Sequence, residues 1–266
     1  MTTYLVTGAG GGLGAIAARE LAATGARVVL ALRDPARVTP PPGHTEVRRL
    51  DLADLASVRA FAAGWSGDLD VLINNAGVMA VPYAKTADGF ETHMAVNHFG
   101  PFLLTNLLLP HLTGRVVTVS SNLSRRGKLP LDDLNWERRQ YSPVAAYAQS
   151  KLANLLFTHE LQRRLAESGS TVRAVAAHPG VARTGLDRHF GGVQGFALKA
   201  LYPLIAQKKA EYGALPILFA ATGDVPGDAY VGPGDRSGGR PRLERRRTDA
   251  GLARELWEIS VRLTRA

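Results

Sequence analysis

The stretch YLVTGAGGGLG, which runs from Tyr4 to Gly14, decides the fold of this chain. Tyr4–Thr7 is a short apolar run typical of a buried strand, and an alanine-rich helical pattern follows over Leu13–Ala23. Glycines between the two permit a tight turn, and the free N–H groups at the start of the helix attract phosphate. The spacing is T-G-x-x-x-G-x-G, with glycines at Gly8, Gly12 and Gly14. This order of elements predicts a dinucleotide-binding turn, and because no lysine stands where a P-loop requires one, nucleotide hydrolysis is not expected.

The rest of the chain alternates short apolar runs with longer amphipathic stretches, which predicts an α/β fold. The further predicted strands are Arg27–Leu32, Glu46–Leu50, Val71–Ile73, Val116–Ser120, Val172–Ala177 and Ala229–Val231. The further predicted helices are Leu55–Trp65, Gly89–Leu112, Val144–Glu167 and Gln207–Ala221. We therefore expect a doubly wound parallel sheet of about seven strands, with helices on both faces.

Length and composition limit the class of protein. A chain of 266 residues is near the upper size for one hydrophobic core, so we expect a single domain over residues 1–266. The absence of cysteine excludes disulfides, cysteine-ligated zinc, iron–sulfur clusters and thiol nucleophiles. The longest apolar stretch, Phe99–Leu112, is interrupted by prolines, and the first residues do not form a signal peptide. These features predict a cytoplasmic protein with no membrane partner.

The net charge of +9 raises the question of a nucleic-acid partner. The densest basic cluster consists of Arg236, Arg240, Arg242, Arg245, Arg246 and Arg247. It lies among glycine and proline, without interleaved aromatic residues or a helix-turn-helix pattern. We therefore interpret it as a solvated surface segment that could flank a cofactor pocket, and we expect no nucleic-acid partner. The alternative, a nucleic-acid site, would require strongly salt-dependent binding through these arginines.

The end of the second predicted strand bears on the choice of dinucleotide. An acid at this position usually binds the ribose hydroxyls of NAD, whereas an arginine accommodates the additional phosphate of NADP. Leu32 holds the last strand position, and Arg33 and Asp34 follow it. Asp34 precedes a proline and can equally be a turn residue or a helix cap. We expect NADP(H) in preference to NAD(H), and the alternative is that Arg33 is only a surface charge.

Tyr147 and Lys151 form Y-x-x-x-K within the predicted helix Val144–Glu167. A spacing of four places both side chains on one face of a helix. The pKa of a tyrosine is about 10, and a nearby ammonium favours the ionised form, which brings the phenol closer to acid–base work near neutral pH. Tyr141 has no lysine four residues later, so we interpret it as a loop or core residue.

These motifs, taken in order, resemble the short-chain dehydrogenase/reductase family over nearly the whole chain. The resemblance rests on Thr7–Gly14, Asn74–Gly77, Asn97, Ser121, Tyr147 with Lys151, and His178–Gly180. The stretches Ala31–Asp34, Ala146–Asn154 and Leu131–Asn135, and the 26 residues from Ser121 to Tyr147, are similar to the retinol-dehydrogenase-like and WW-domain-oxidoreductase-like branch. The chain begins at its first strand without an anchor, unlike membrane-bound retinol dehydrogenases, so a retinoid substrate is not carried over.

The resemblance implies a Rossmann fold and a catalytic set of four residues: Asn97, Ser121, Tyr147 and Lys151. Tyr147 would exchange a proton with the substrate oxygen, and Lys151 would lower the pKa of that tyrosine and bind the nicotinamide ribose. Ser121 would hold the substrate oxygen, with the adjacent Ser120 as second choice. Asn97 would anchor a water that links Lys151 to solvent.

The resemblance also implies which residues contact the cofactor. The turn residues Gly8, Gly12, Leu13 and Gly14 would hold the pyrophosphate, and Arg33 would bind the extra phosphate. Asp51 and Leu52 would line the adenine site. Asn75, Ala76 and Gly77 would lie beside the ribose. Pro179, Val181 and Thr184 would border the nicotinamide and the pyrophosphate, next to Tyr147 and Lys151. Since His93 and His98 do not have a usual helical ligand spacing, we expect no metal.

The function expected from these residues is an NADP(H)-dependent oxidoreductase that interconverts a carbonyl and an alcohol. Apolar residues in the segment 185–207 suggest a cover over a bulky apolar substrate, although they could equally belong to the core or to a subunit interface. The alternative functions are an isomerase or lyase, or a non-catalytic dinucleotide sensor on the same fold. A homodimer or homotetramer would use the helices Gly89–Leu112 and Val144–Glu167, as relatives commonly do.

Overall fold

A single sheet of eight strands runs through the part of the chain that the computed structural model describes, which comprises residues 1–180, 210–234, 239–246 and 248–266. The strands are β1 (Thr3–Thr7), β2 (Arg27–Leu32), β3 (Thr45–Arg49), β4 (Leu69–Asn74), β5 (Leu112–Val119), β6 (Arg173–Ala177), β7 (Tyr230–Gly232) and β8 (Arg242–Leu243). Their order is β3-β2-β1-β4-β5-β6-β7-β8, and β8 alone is antiparallel to its neighbour. The order reverses between β1 and β4, where open sheets of this kind form a ligand-binding crevice.

Helices cover both faces of this sheet. They are α1 (Gly12–Ala23), α2 (Leu55–Ala63), α3 (Thr92–Met94), α4 (Gly100–Leu108), α5 (Pro143–Glu167), α6 (Ala210–Thr222) and α7 (Ala250–Thr264). In β1, Leu5 belongs to the core under α2, α4, α5 and α7, whereas its neighbour Val6 belongs to the core under α1 and α6. Successive strand residues point to opposite faces, and both faces of the sheet are buried. The strands are therefore continuous apolar runs in the sequence. The predicted doubly wound fold is confirmed.

Most predicted boundaries differ from the observed ones by a few residues, the helix predicted over Gly89–Leu112 differs most, and the sheet has eight strands where about seven were predicted. The helix predicted over Gly89–Leu112 begins at α3, contains a π-helical turn over Ala95–Phe99, and ends before Leu112, which is the first residue of β5. The eighth strand, β8, was not predicted because its two exposed residues form no apolar run. Of the helix predicted over Gln207–Ala221, the described part is α6, and it extends to Thr222.

The C-terminal helix α7 was also missed. Asp249 caps its first turn by accepting a hydrogen bond from the backbone of Leu252. Its buried residues are Ala253, Leu256, Trp257, Ser260 and Thr264, which have the spacing of one helical face. The ring of Trp257 stacks on Phe157 of α5 and meets Phe102 of α4 edge-on. The helix therefore covers the outer face of α5.

Candidate active site

A cavity of about 940 Å³ lies in the crevice at the carboxyl ends of the strands. Twelve of the residues predicted to bind the cofactor line it: Gly8, Leu13, Gly14, Arg33, Asp51, Leu52, Asn75, Ala76, Gly77, Tyr147, Lys151 and Pro179. Gly12, Asn97 and Ser121 do not contribute to its wall. Val181, Thr184 and the segment 185–207 lie outside the described residues.

The glycine-rich turn is packed too tightly for side chains. Gly8 has a φ of +67°, and a Cβ there would lie 2.8 Å from the Cα of Ala76. A Cβ on Gly14 would lie 2.5 Å from Asn75 Nδ2, which donates to the carbonyl of Thr7. These contacts hold the turn between β1 and α1 against the end of β4.

The beginning of α1 suits an anion. Its N-cap residue is Gly11, which has no side chain to bond the first free N–H groups, and its first turn carries no acidic residue. Gly10, Gly11 and Leu13 line the cavity at this point. The partial positive charge of the helix start therefore faces the cavity. The residues present fit a dinucleotide, whose pyrophosphate would lie at this helix start.

Two arginines and one aspartate line the cavity at the end of β2. Arg37 Nε lies 2.6 Å from a carboxylate oxygen of Asp34. Arg33 is exposed and has no ion pair with any described residue. Asp34 is the N-cap residue of a short 3₁₀ helix over Pro35–Arg37, although its side chain makes no capping bond. The acid is thus neutralised by Arg37, while Arg33 is available to an anion.

Tyr147 and Lys151 lie on the inner face of α5 and both reach the cavity. The Lys151 ammonium donates to the carbonyl of Val119 at 2.9 Å and lies 5.7 Å from the centre of the Tyr147 ring. Burial lowers the pKa of Lys151 to about 8. This lysine is therefore largely charged at pH 7, and a cation this close favours the phenolate form of the tyrosine.

Asn97 lies in the π-helical turn between α3 and α4, a distortion often found at functional sites. Its Nδ2 donates to the carbonyl of Val78 and to Ser150 Oγ, and its Oδ1 accepts from the backbone N–H of Val78. A Cβ on Gly77 would lie 3.1 Å from Asn97 Oδ1 and 3.4 Å from Lys151 Nζ. Asn97 is thus behind the cavity wall, adjacent to Lys151, and the absent Cβ of Gly77 leaves room between them.

The two adjacent serines after β5 have different surroundings. Ser120 is buried, and its hydroxyl donates to the carbonyl of Lys151 at 2.8 Å. Ser121 is half-buried, and its Oγ accepts from the N–H of Leu123 at the start of a 3₁₀ helix over Asn122–Arg126. The Ser121 hydroxyl hydrogen has no acceptor among the described residues, whereas that of Ser120 is already used. Ser120 nevertheless contributes to the cavity wall and Ser121 does not.

A buried polar cluster next to Tyr147 was missed. It consists of Glu91, His93 and Tyr141, and the Tyr141 hydroxyl lies 3.0 Å from Glu91 Oε1. His93 packs edge-on against Tyr147, with 6.3 Å between ring centres. The backbone N–H of Val81, in the cavity wall, donates to His93 Nε2. Glu91 caps α3 by accepting from the N–H of Met94, and the sequence around these residues has no motif that predicts the cluster.

Comparison with known proteins identifies the family. The family model for short chain dehydrogenases matches residues 2–192. The chain belongs to the short-chain dehydrogenase family. It is 43% identical to human retinol dehydrogenase 13, over 98% of this chain and 84% of that protein. The predicted retinol-dehydrogenase-like branch is confirmed, and the chain is an NAD(P)-dependent oxidoreductase that acts on a small molecule.

Solved structures agree with this assignment. A crystal structure of a putative uncharacterized protein from Mycobacterium paratuberculosis is 51% identical, with a TM-score of 0.84 over all of this chain and 94% of that one. A blue fluorescent protein from a metagenomic library, solved in complex with NADPH, is 26% identical, with a TM-score of 0.64 over 87% of this chain and 95% of that one. In the described parts of this short-chain dehydrogenase, no helix has the length and apolar character needed to cross a membrane.

Proposed function

We propose that this short-chain dehydrogenase uses NADP(H) to interconvert a carbonyl and an alcohol on a bulky apolar substrate, with Tyr147 as the general acid and base. One observation carries the proposal: Tyr147 and Lys151 line the same cavity as the glycine-rich turn and Arg33. A proton-transferring group, a buried cation and an anion-binding helix start thus share one cavity, which is the arrangement that hydride transfer coupled to proton transfer requires.

The preference for NADP(H) rests on charge at the end of β2. Asp34, the acid nearest this position, follows the end of β2 and is paired through one carboxylate oxygen with Arg37. Arg33 is exposed, lines the cavity and has no described ion pair. A guanidinium binds a phosphate through two parallel hydrogen bonds, so an unpaired arginine at this position favours the dinucleotide with the additional phosphate.

Tyr147 and Lys151 of α5, together with Ser121 and Asn97, carry out the proton transfer. The nicotinamide supplies or accepts the hydride when it is bound. Tyr147 holds the proton that is exchanged with the substrate oxygen, and the Lys151 ammonium stabilises the phenolate that remains after the proton leaves. Ser121, whose hydroxyl hydrogen is uncommitted among the described residues, donates to the substrate oxygen. Asn97 holds the backbone of Val78 and is positioned to bind a water beside Lys151.

The apolar character of the substrate is supported by three valines in the wall of the cavity. Val78, Val81 and Val96 line the cavity and are half-buried. Retinol, the alcohol in the name of the similar human proteins, is itself a bulky apolar molecule. The segment 185–207, on which the sequence-based expectation rests, lies outside the described residues.

Fluorescence titration with NADPH and with NADH, followed by a panel of bulky aldehydes and ketones, tests this function. We expect tight NADPH binding and oxidation of NADPH by at least one apolar carbonyl compound. An isomerase, a lyase or a non-catalytic sensor would instead bind the dinucleotide without net oxidation. No binding of either dinucleotide would contradict the proposal at its first step.

The surface that a homodimer or homotetramer would use is a separate proposal. Helix α7 packs along α5, and Arg164 of α5 lies over the ring of Trp257 while its guanidinium pairs with Glu258. These contacts cover part of the surface of α5. We therefore propose that this chain does not associate through α5. Light scattering coupled to size-exclusion chromatography, before and after removal of α7, would reveal a dimer that forms only when α5 is uncovered.

A further inference from the structure

A second cavity, of about 560 Å³, lies beside the candidate active site, and we call it the arginine pocket. It is lined by Asn122, Arg125, Arg242, Leu243, Glu244 and Arg245. Arg242 and Arg245 belong to the C-terminal basic cluster that the sequence predicts to be a solvated surface segment. The short antiparallel strand β8 brings them to this place, because Leu243 pairs with Val231 and Arg242 with Gly232. The backbone of Arg242 and Leu243 is therefore part of the sheet.

The arginine pocket is adjacent to the reacting groups on two sides. Asn122 directly follows Ser121, the serine proposed to hold the substrate oxygen. Glu244 lies 3.2 Å from the imidazole of His178, and the next residue, Pro179, lines the dinucleotide cavity. A substrate whose oxygen lies at Ser121 and Tyr147 could therefore extend into the pocket.

The charges around the pocket do not cancel. The carboxylate of Glu244 is the only acid in its lining, and it pairs with Arg125 at 3.1 Å. The guanidinium groups of Arg242 and Arg245 have no hydrogen bond or ion pair with any residue that the structure describes. Burial lowers the pKa of His178, which leaves this imidazole neutral at pH 7. Three arginines and one carboxylate thus belong to the lining, Arg242 and Arg245 are exposed, and an anion bound between them would reduce the excess of positive charge.

We propose that the arginine pocket binds an anionic group, a carboxylate or a phosphate, at the end of the substrate remote from the reacting carbon. Guanidinium groups bind both anions through paired, charge-assisted hydrogen bonds. The substrate would then be amphipathic, with an apolar body at Val78, Val81 and Val96 and a charged end at Arg242 and Arg245. This assignment rests on the proposed carbonyl–alcohol chemistry for the position of the substrate, although the binding of the anion itself does not.

Binding and turnover together test the proposal. The probes are a long-chain ω-oxo-carboxylate, the corresponding ω-oxo-alkyl phosphate and the neutral methyl ester of the carboxylate. Their affinities for the NADP-saturated protein are measured by calorimetry at ionic strengths of about 0.03 M and about 0.3 M. The double variant Arg242→Gln/Arg245→Gln removes two charges, and Arg262→Gln, on the exposed face of α7, is the matched control.

We expect at least one anionic probe to bind about ten-fold more tightly than the ester at low ionic strength, since one or two charge-assisted hydrogen bonds contribute this much. The double variant should lose the difference, and Arg262→Gln should keep it. Comparison of the carboxylate with the phosphate identifies which anion the pocket prefers. Equal binding of anion and ester, or a preference that survives in the double variant, would overturn the proposal.

Turnover separates this proposal from the proposed function. If NADPH is oxidised by the ester and the anion with equal kcat/KM, the chemistry stands and the arginine pocket has no part in substrate binding. If no probe is reduced but the anions still bind through Arg242 and Arg245, the carbonyl chemistry fails and the anion site stands.

Discussion

His93 Nδ1 lies 2.7 Å from Oε1 of Glu91, and both side chains are fully buried. Removing a carboxylate from water is unfavourable, and a buried polar pair adds little net stability compared with apolar residues of the same size. This pair has two contacts with the active site: the ring of His93 packs against Tyr147, and its Nε2 accepts from the backbone of Val81. We infer that Glu91 positions His93, and that His93 positions Tyr147 and the wall of the cavity.

The first prediction concerns this pair. Glu91→Gln and His93→Gln should each lower kcat about ten-fold while the Kd for NADPH changes little, because the cluster lies at Tyr147 and not at Arg33. The double variant should lose no more than either single variant, since both changes break the same chain of contacts. Stopped-flow reduction and NADPH titration measure these quantities. Loss of thermal stability with unchanged kcat would mean that the pair is only structural.

Tyr147→Phe should keep dinucleotide binding and lose at least about a hundred-fold in kcat, because the ring still packs while the transferable proton is gone. Tyr4→Phe is the matched control, since Tyr4 is a buried tyrosine of β1 whose neighbouring charges are Asp70 and Arg115 and not the cavity residues. Its activity should equal that of the unchanged protein. Turnover by Tyr147→Phe at the original rate would remove this tyrosine from the mechanism.

The pH dependence of reduction should follow Lys151. Burial lowers the pKa of this lysine to about 8, so the cation beside Tyr147 is present below that pH and is lost as pH rises through it. We expect kcat/KM for carbonyl reduction to fall above about pH 8. In Lys151→Arg the side chain keeps its charge, so the descending limb should move to higher pH even if the maximum rate is lower. If kcat/KM of Lys151→Arg falls at the same pH as that of the unchanged protein, a group other than Lys151 causes the fall.

Arg33→Ala should weaken NADPH binding about ten-fold or more and change NADH binding much less, since only NADPH carries the additional phosphate. Arg19→Ala, on the exposed surface of α1, controls for the loss of one positive charge. Titrations at two ionic strengths distinguish a local contact from general attraction. Equal losses for both dinucleotides would defeat the assignment of Arg33 to a phosphate.

The hydrogen bond between His98 and Ser260 should contribute measurably to the free energy of unfolding. The Ser260 hydroxyl donates to the carbonyl of Leu256, so its oxygen accepts from His98 Nε2 at 2.9 Å. Ser260→Ala leaves the buried imidazole N–H without an acceptor, and the free energy of unfolding should fall by about 1–3 kcal/mol in urea titrations. Ser66→Ala, an exposed serine, should have no effect. Equal midpoints for the two variants would show that the contact is not made in solution.

Because His98 is buried, the free energy of unfolding should also decrease in acid. Burial lowers the pKa of His98 to about 3, whereas the unfolded chain binds the proton at about pH 6.5. The unfolded state therefore holds more protons between these values, and the free energy of unfolding should decrease as pH falls from about 6.5 toward 3. A His98→Phe variant, whose ring could join Phe99 and Phe102, should show a shallower dependence on pH over this range. An identical slope would assign the effect to other groups.

The parts of the fold that could be predicted from sequence depend on neighbours along the chain. Strands β1 to β7, the turn at Gly8 and the shared face of Tyr147 and Lys151 follow from apolar periodicity, glycine spacing and the pitch of a helix. The π-helical turn that contains Asn97 and the end of the helix before Leu112 could not be predicted. An uninterrupted helical pattern does not show where packing against the sheet will distort or end the helix.

Contacts between residues far apart in the chain appear only in the tertiary structure. Tyr141 meets Glu91 from 50 positions away, Arg125 meets Glu244 from 119, and His98 meets Ser260 from 162. Each of these side chains is unremarkable in its local sequence, since a polar residue in a loop or helix is equally compatible with solvent. Local propensity and periodicity therefore specify the sheet, the dinucleotide turn and the reacting pair. The buried cluster at Tyr147 and the arginine pocket arise because chain closure brings distant segments together, and no local pattern encodes which of them will meet.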